Sequence, residues 1–193
     1  MSESKHVLYK LYKPYGYISQ FISNQPKSHK KRFLGELYDF PEGTMAIGRL
    51  DEHSEGLLLL TTDGKLSDTV NSSSFEKEYY AMVDGIISTE AIAQLSQGIA
   101  ISIHGKPYTT KPCKVKKLPT PSLPSTPQRI RDERHGPTSW ISITLTEGKY
   151  RQIRKMTSAV GFPTLRLARV RIGKLTVGSM KAGDCKVIEE TTL

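Results

Sequence analysis

The chain has 193 residues, 37% of them apolar and 24% charged, with a formal net charge of +9, the profile of an ordinary globular protein with a basic excess. A chain of this length buries roughly 70% of its unfolded surface, so it needs neither a disulfide nor a metal to hold a core. The opening MSESKH lacks the apolar stretch of a signal peptide, and the longest strongly apolar run, at 57–60, falls far short of the roughly 20 residues that span a bilayer.

Taken in chain order, residues 7–21 (VLYKLYKPYGYISQF) mix aromatic and β-branched side chains around Pro14 and Gly16. That pattern predicts a strand, a turn at 13–16 and a second short strand. Residues 24–32 (NQPKSHKKR) read as a polar, basic loop. The apolar run at 57–61, bounded by Gly56 and Gly64, reads as a buried strand, with Asp63-Gly64 as a turn after it and a short helix over 65–71. Residues 78–87 predict another strand, broken by Asp84-Gly85. Ser88 or Thr89 then caps a helix running to about Gln97, with Ala91, Ile92 and Leu95 at helical spacing and Gly98 as its stop.

Six prolines fall between 112 and 139, which predicts a mobile basic loop inserted between strands. Residues 140–146 (WISITLT) alternate as a half-buried strand. Residues 148–161 predict a helix whose apolar anchors are Ile153, Met156 and Val160, with Gly161 just past its end. Arg151, Arg154 and Lys155 fall on another face of it. In 165–172 (LRLARVRI) apolar residues alternate with arginines, with a phase slip near Ala168 that signals a bulge or bend. This places Arg166, Arg169 and Arg171 away from the core. The whole reads as α+β: a mixed, mostly antiparallel sheet with a few flanking helices, one domain over 1–193 or two sub-lobes of one.

Cys113 and Cys185 are the only cysteines, and no CxxC, HExxH or HxxxH spacing occurs. The expectation is a protein without metal or disulfide, suited to the cytoplasm. The charge is uneven: residues 105–155 hold 12 Lys and Arg against three acidic residues, a local net charge of +9, whereas residues 1–104 sum to −3. Such asymmetry favours a polyanionic partner, nucleic acid before membrane, against the blander possibility of a solvated basic surface.

Within this basic chain, Asp51 stands in GRLDEHSEG, a loop framed by Gly48 and Gly56 and anchored by the apolar run at 57–61. Taken alone it reads first as a turn or capping aspartate. However, GRLDEHSEGLLLLTTDG resembles the signature G-R-L-D-x-x-[ST]-x-G-L-[LI]-[LI]-x-T-x-D-G of the ribosomal RNA pseudouridine synthases of the RsuA class. Four more blocks match that family in chain order: KPYGYIS at 13–19, KEYYAMVDG at 77–85, TKPCKVKKL at 110–118, and EGKYRQIRKM with the later VGFPTLRLARVRIGKL. Cys113 stands where the family more often has Ala, and Thr62 where Asn often precedes the Asp-Gly turn. The first block begins so early that no S4-type N-terminal RNA-binding domain is expected. The wording FPTLRLARVRIG is most similar to the large-subunit rRNA type E enzymes.

The resemblance implies the pseudouridine synthase fold and the cofactor-free isomerisation of a uridine in 23S ribosomal RNA to pseudouridine. Substrates in small-subunit rRNA or tRNA, or a non-catalytic RNA-binding role in ribosome assembly, remain alternatives. It gives Asp51 the role of nucleophile, with attack on base or sugar left open, and makes Arg154 the cation that orients it. Tyr79 is the ring that stacks on the displaced base, with a hydroxyl for proton transfer. Strand alternation makes its neighbour Tyr80 the core residue. Arg49 and Ser54 support the Asp51 loop, and Leu167 is an apolar side chain under the site or simple packing. RNA capture is expected from Lys114, Lys116, Lys117, Arg129, Arg131, Arg134, Arg151, Lys155, Arg166, Arg169 and Arg171, with Lys27, Lys30, Lys31 and Arg32 in the earlier loop. The expected partner is rRNA, bound by a monomer without an obligate protein partner.

Overall fold

A computed structural model describes residues 6–22, 31–72 and 75–190. The expected basic loop at 24–30, with Lys27 and Lys30, lies outside the described residues. The first strand, β1 (Leu8–Lys13), leads into the expected turn at Tyr15 and Gly16. The expected second strand reduces to one parallel bridge between Tyr17 and Arg32. After β2 (Met45–Ile47) comes β3 (Glu55–Thr61), in which all seven residues are buried. Asp63-Gly64 does not turn a hairpin. The Asp63 carboxylate accepts the amides of Lys65 and Leu66 at 2.8 and 3.3 Å and so caps α1 (Gly64–Ser72).

Next, β4 (Lys77–Asp84) ends where Gly85 turns the chain at φ +81°. Ser88 caps α2 (Thr89–Gln97) by accepting the Ala91 amide at 3.1 Å, and Gly98 stops it at φ +99°. Beyond Gly98, β5 (Ala100–Ile103) and β6 (Lys106–Thr109) form a hairpin that the sequence pattern did not predict. The Pro-rich segment is also corrected: its first part forms β7 (Lys114–Leu118), paired to β8 (Thr138–Leu145). The rest of the segment, 119–137, holds one 3-10 turn at Glu133–His135. It is tied down where Arg131 meets Asp84 and where Pro137 accepts the Gly85 amide at 2.9 Å. The last helix, α3 (Gln152–Ala159), starts later than expected, because Arg151 takes a left-handed conformation (φ +51°, ψ +35°) that no helix can include. Strands β9 (Thr164–Ile172), β10 (Leu175–Thr176) and β11 (Cys185–Ile188) complete the described chain.

The chain divides into two compact units. The first takes in Met1–Phe75, Pro124–Gln128 and Arg171–Leu193. In it β1 lies antiparallel between β11 and β3, and β2 also pairs with β3. Leu57 and Leu59 join Leu8, Ile47, Val70 and Ile172 in one core. On the opposite face Leu58 and Leu60 lie across from Leu11 and Tyr9, and the Tyr9 ring meets Tyr38 and Phe40 at 5.8 and 5.3 Å. With both faces covered, an unbroken apolar run replaces the usual alternation, and each leucine contributes about 1.5–3 kcal/mol.

The second unit comprises Glu76–Leu123 and Arg129–Val170. Its strands run in the order β9-β4-β8-β7, with the β5–β6 hairpin as a separate small sheet. The core gathers Ala81, Val83, Ile141 and Ile143 from the sheet, Leu95 from α2, Ile153 and Met156 from α3, and Leu167 from β9. Arg166 and Arg169 correct the alternation argument: both are buried, Arg169 to 3% exposure, in a strand covered on both faces. Arg171 is half-buried and donates to the Gly173 carbonyl at 2.8 Å.

Candidate active site

In the first unit, the loop carrying Asp51 is fixed on several sides. Gly48 opens it at φ +70°, a conformation strained for side-chain-bearing residues. Leu50 buries its side chain, and its backbone is held at both ends by Ser19. The Ser19 hydroxyl accepts the Leu50 amide at 2.9 Å and donates to the Leu50 carbonyl at 2.8 Å. Asp51 comes next in the chain, half-buried, and its carbonyl accepts the Ser54 amide at 3.0 Å, closing a tight turn. Gly16 donates its amide to the Glu52 carbonyl at 2.8 Å, and the rings of Tyr15 and His53 lie 5.3 Å apart.

The other two carboxylates nearby have defined structural duties. Glu52 pairs with Lys31 at 2.5 Å, and buried Glu55 accepts the Tyr12 hydroxyl at 2.8 Å. Ser54 is buried, while Arg49 is exposed. The Lys13 ammonium, fully buried, donates to the carbonyls of Pro14 and Tyr17 at 3.0 and 2.6 Å. A buried cation thus ties the turn that brings Ser19 to the loop. A carboxylate held on a scaffold of this kind is suited to nucleophilic work.

Tyr79 and Arg154 belong to the second unit. Tyr79 shares its strand face with Ala81 and Val83 and packs against the core, so it, and not Tyr80, is the core-side tyrosine. The Arg169 guanidinium lies 6.0 Å from the centre of its ring, within cation–π range. Lys77 occupies the same face two residues earlier; burial first, then the Arg169 charge, lowers its pKa. Tyr79 thus has the buried Arg169 guanidinium against its ring and Lys77 on the same strand face. Leu167 is a member of the same core.

Arg154 rides on α3, half-buried, with Nη1 donating to the Thr164 carbonyl at 3.4 Å. The start of that helix is held by Glu147. Its carboxylate accepts the Lys111 amide at 2.9 Å, the Gln152 side-chain amide at 2.6 Å and the Tyr108 hydroxyl. Burial works to raise the Glu147 pKa, but these donors together hold it below the usual carboxylate range. Sequence reasoning missed Ser19, Glu147 and Gln152 as positioning residues, although each lies inside a block that carried the family resemblance.

The expected RNA-contacting residues are spread in function. Lys116, Lys117 and Arg129 are exposed, and Lys114 is exposed with Glu76 at 2.7 Å. Arg134 pairs with Asp132 at 2.5 Å, and Arg131 with Asp84. Arg151 is half-buried, and Lys155 donates to the Ser102 carbonyl at 2.6 Å. Lys31 is taken by Glu52, and the Arg32 guanidinium lies 5.4 Å from the centre of the Tyr17 ring. Among the described residues no cluster of His, Cys, Asp or Glu could hold a metal ion, and no helix is long and apolar enough to cross a membrane.

Comparison with known proteins agrees with these motifs. The chain is 37% identical over 180 residues to ribosomal large subunit pseudouridine synthase E of Xanthomonas campestris pv. campestris, covering 92% of each chain. It is 41% identical over 167 residues to the protein of that name from Xanthomonas axonopodis pv. citri, covering 84% of each. A crystal structure of a pseudouridylate synthase superposes with a TM-score of 0.74 at 24% identity, over 97% of this chain and 72% of that one, which shows the fold to be shared. The family model described as RNA pseudouridylate synthase matches residues 7–159. With its α+β fold and motif-bearing loops, the chain belongs to the RNA pseudouridylate synthase family.

Proposed function

We propose that this protein converts a specific uridine of large-subunit (23S) ribosomal RNA to pseudouridine, with Asp51 as nucleophile. The observation that carries this reading is the Asp51 loop, whose backbone is pinned by Ser19 and which leads into a fully buried strand. The names of the two Xanthomonas relatives support the choice of rRNA subunit. The reaction breaks the N-glycosidic bond, turns the base and forms a carbon–carbon bond through C5. Atoms are rearranged and none is gained or lost, so no redox partner or cofactor is required.

In this reading the target nucleotide leaves its stack, at a cost of a few kcal/mol that is least in an unpaired loop. Asp51 adds to the nucleoside and leaves again, dividing one hard step into two. Arg154 supplies a planar cation to orient the carboxylate. Tyr79 offers a ring to stack on the displaced base and a hydroxyl for proton transfer. Exposed Lys116, Lys117 and Arg129 give phosphate contacts, so affinity falls steeply with salt. The protein acts in the cytoplasm, as a monomer; its two free cysteines suit that reducing compartment.

The test is Asp51→Asn assayed on 23S rRNA transcripts. Pseudouridine formation disappears while RNA affinity changes little. Loss of both, or of neither, favours a non-catalytic RNA-binding role, and a pseudouridine mapped to small-subunit rRNA or tRNA instead would correct the substrate.

A further inference from the structure

The β5–β6 hairpin turns on two residues, His104 and Gly105, with φ +50° and +78°. Tight hairpins of this kind favour Asn-Gly or Asp-Gly, and histidine is among the few side-chain-bearing residues that enter positive φ readily. The ring of His104 stacks on Tyr150, with centroids 5.1 Å apart and planes 26° from parallel. Tyr150 keeps 55% of its surface exposed and His104 is exposed as well, so this aromatic pair is not part of a core. The Lys155 ammonium lies 5.1 Å from the centre of the Tyr150 ring and ties α3 to the hairpin through the Ser102 carbonyl. Lys149 lies 4.9 Å from the Tyr108 ring centre, Lys106 is exposed on β6, and residues 100–110 contain no acidic side chain.

An exposed aromatic stack bordered by lysines fits one ligand class well. Unpaired nucleic-acid bases stack on such rings whatever their sequence, while nearby cations take the flanking phosphates. We propose that His104 and Tyr150, with Lys106, Lys149 and Lys155, form a platform for an unpaired base of single-stranded RNA other than the reacting uridine. Such a platform rests on the proposed function and gives it a second hold on RNA within the second unit.

The experiment is a fluorescence titration of an unstructured 12-residue ribo-oligonucleotide against wild type, Tyr150→Ala, Tyr150→Phe and His104→Asn. Asparagine tolerates the left-handed turn and removes only the ring. Stacking contributes about 1–3 kcal/mol per base, and 1.4 kcal/mol is tenfold, so Tyr150→Ala weakens binding about 5- to 150-fold. Tyr150→Phe stays within about twofold, and His104→Asn falls between. For Tyr150→Ala the salt dependence keeps its slope, because that substitution removes no charge. An oligonucleotide with one abasic position at the contacted nucleotide erases the difference between wild type and Tyr150→Ala. Equal affinity of Tyr150→Ala and wild type, or a loss that only tracks a lowered melting temperature, overturns the platform. Pseudouridine formation by the wild type is a separate readout: its absence sinks the proposed function and leaves these affinities standing.

Discussion

Ser19 satisfies both polar groups of the Leu50 backbone with one hydroxyl, accepting the amide at 2.9 Å and donating to the carbonyl at 2.8 Å. The residue after Leu50 is Asp51, so the clamp fixes the peptide from which the carboxylate projects. Ser19→Ala leaves a buried donor and a buried acceptor unmatched. Urea unfolding should show a loss of about 1–3 kcal/mol. On the catalytic reading, kcat falls while KM for RNA moves less than about twofold, because misplacement of the carboxylate harms the chemical step more than capture. Equal effects on kcat and KM would point to general unfolding instead.

Tyr79→Phe separates the two roles proposed for that side chain. The ring stays beside Arg169 and keeps its stacking surface, while the hydroxyl is lost. RNA affinity should hold within about twofold and kcat should fall by about 10²- to 10⁴-fold, the usual reach of positioned proton transfer. Single-turnover kinetics on a 23S fragment gives both quantities.

Glu147 links pH to the setting of α3. Its folded-state pKa lies below the unfolded value because the Tyr108, Lys111 and Gln152 donors favour the carboxylate over the opposing effect of burial. The stability it contributes is therefore fully present above the ordinary Glu value of about 4.3. It fades as pH falls through the lowered folded-state value. Glu147→Gln should lower stability at pH 7 and give a shallower acid limb, so that the two unfolding curves converge at low pH. Parallel curves down to pH 3 would contradict the assignment.

Gly98 ends α2 at φ +99°, and a Cβ there would stand 2.3 Å from the Thr110 carbonyl oxygen. That carbonyl belongs to a residue bonded twice to Ile99: the Thr110 amide donates to the Ile99 carbonyl at 3.0 Å, and the Ile99 amide donates to the Thr110 hydroxyl at 2.9 Å. Backbone hemmed in this way cannot withdraw. Gly98→Ala combines a clash with left-handed strain and should destabilise by at least about 2 kcal/mol. Thermal melting of the variant checks it.

The parts of the fold that depend on local pattern were legible in the sequence. The apolar run of β3 and the Ser88 cap and Gly98 stop of α2 are each set by near neighbours, whereas β8, which its alternation made half-buried, is buried at every position from Trp140 to Leu145 because both of its faces are covered. What escaped depends on distant partners. The β5–β6 hairpin lacks the usual turn dipeptide, and its His104 is held by a stack with Tyr150, 46 positions away in the chain. Strand β7 lies in a stretch whose prolines read as loop, although the block at 110–118 resembles a strand of the family; it is an edge strand, where exposed lysines guard against pairing with other chains. The arginines of β9 looked outward by alternation, yet Arg166 and Arg169 are buried, Arg169 against the ring of half-buried Tyr79. Of the residues proposed for catalysis, Asp51, Tyr79 and Arg154 came from the motifs. Ser19 and Glu147 were visible as letters in those motifs, but their duties appear only once the hydrogen bonds are drawn.

The two cysteines have a practical consequence. Cys185 lies in the first unit and Cys113 in the second, each half-buried, and burial pushes both thiols up to about 11, with the Glu147 charge adding to it at Cys113. At neutral pH a folded chain offers alkylating reagents little thiolate at either position, so labelling faster than that small fraction allows reports local opening. The protein thus carries one native chemical clock in each half. Mass spectrometry of the two tryptic peptides over a labelling time course would time the breathing of each half without any introduced probe.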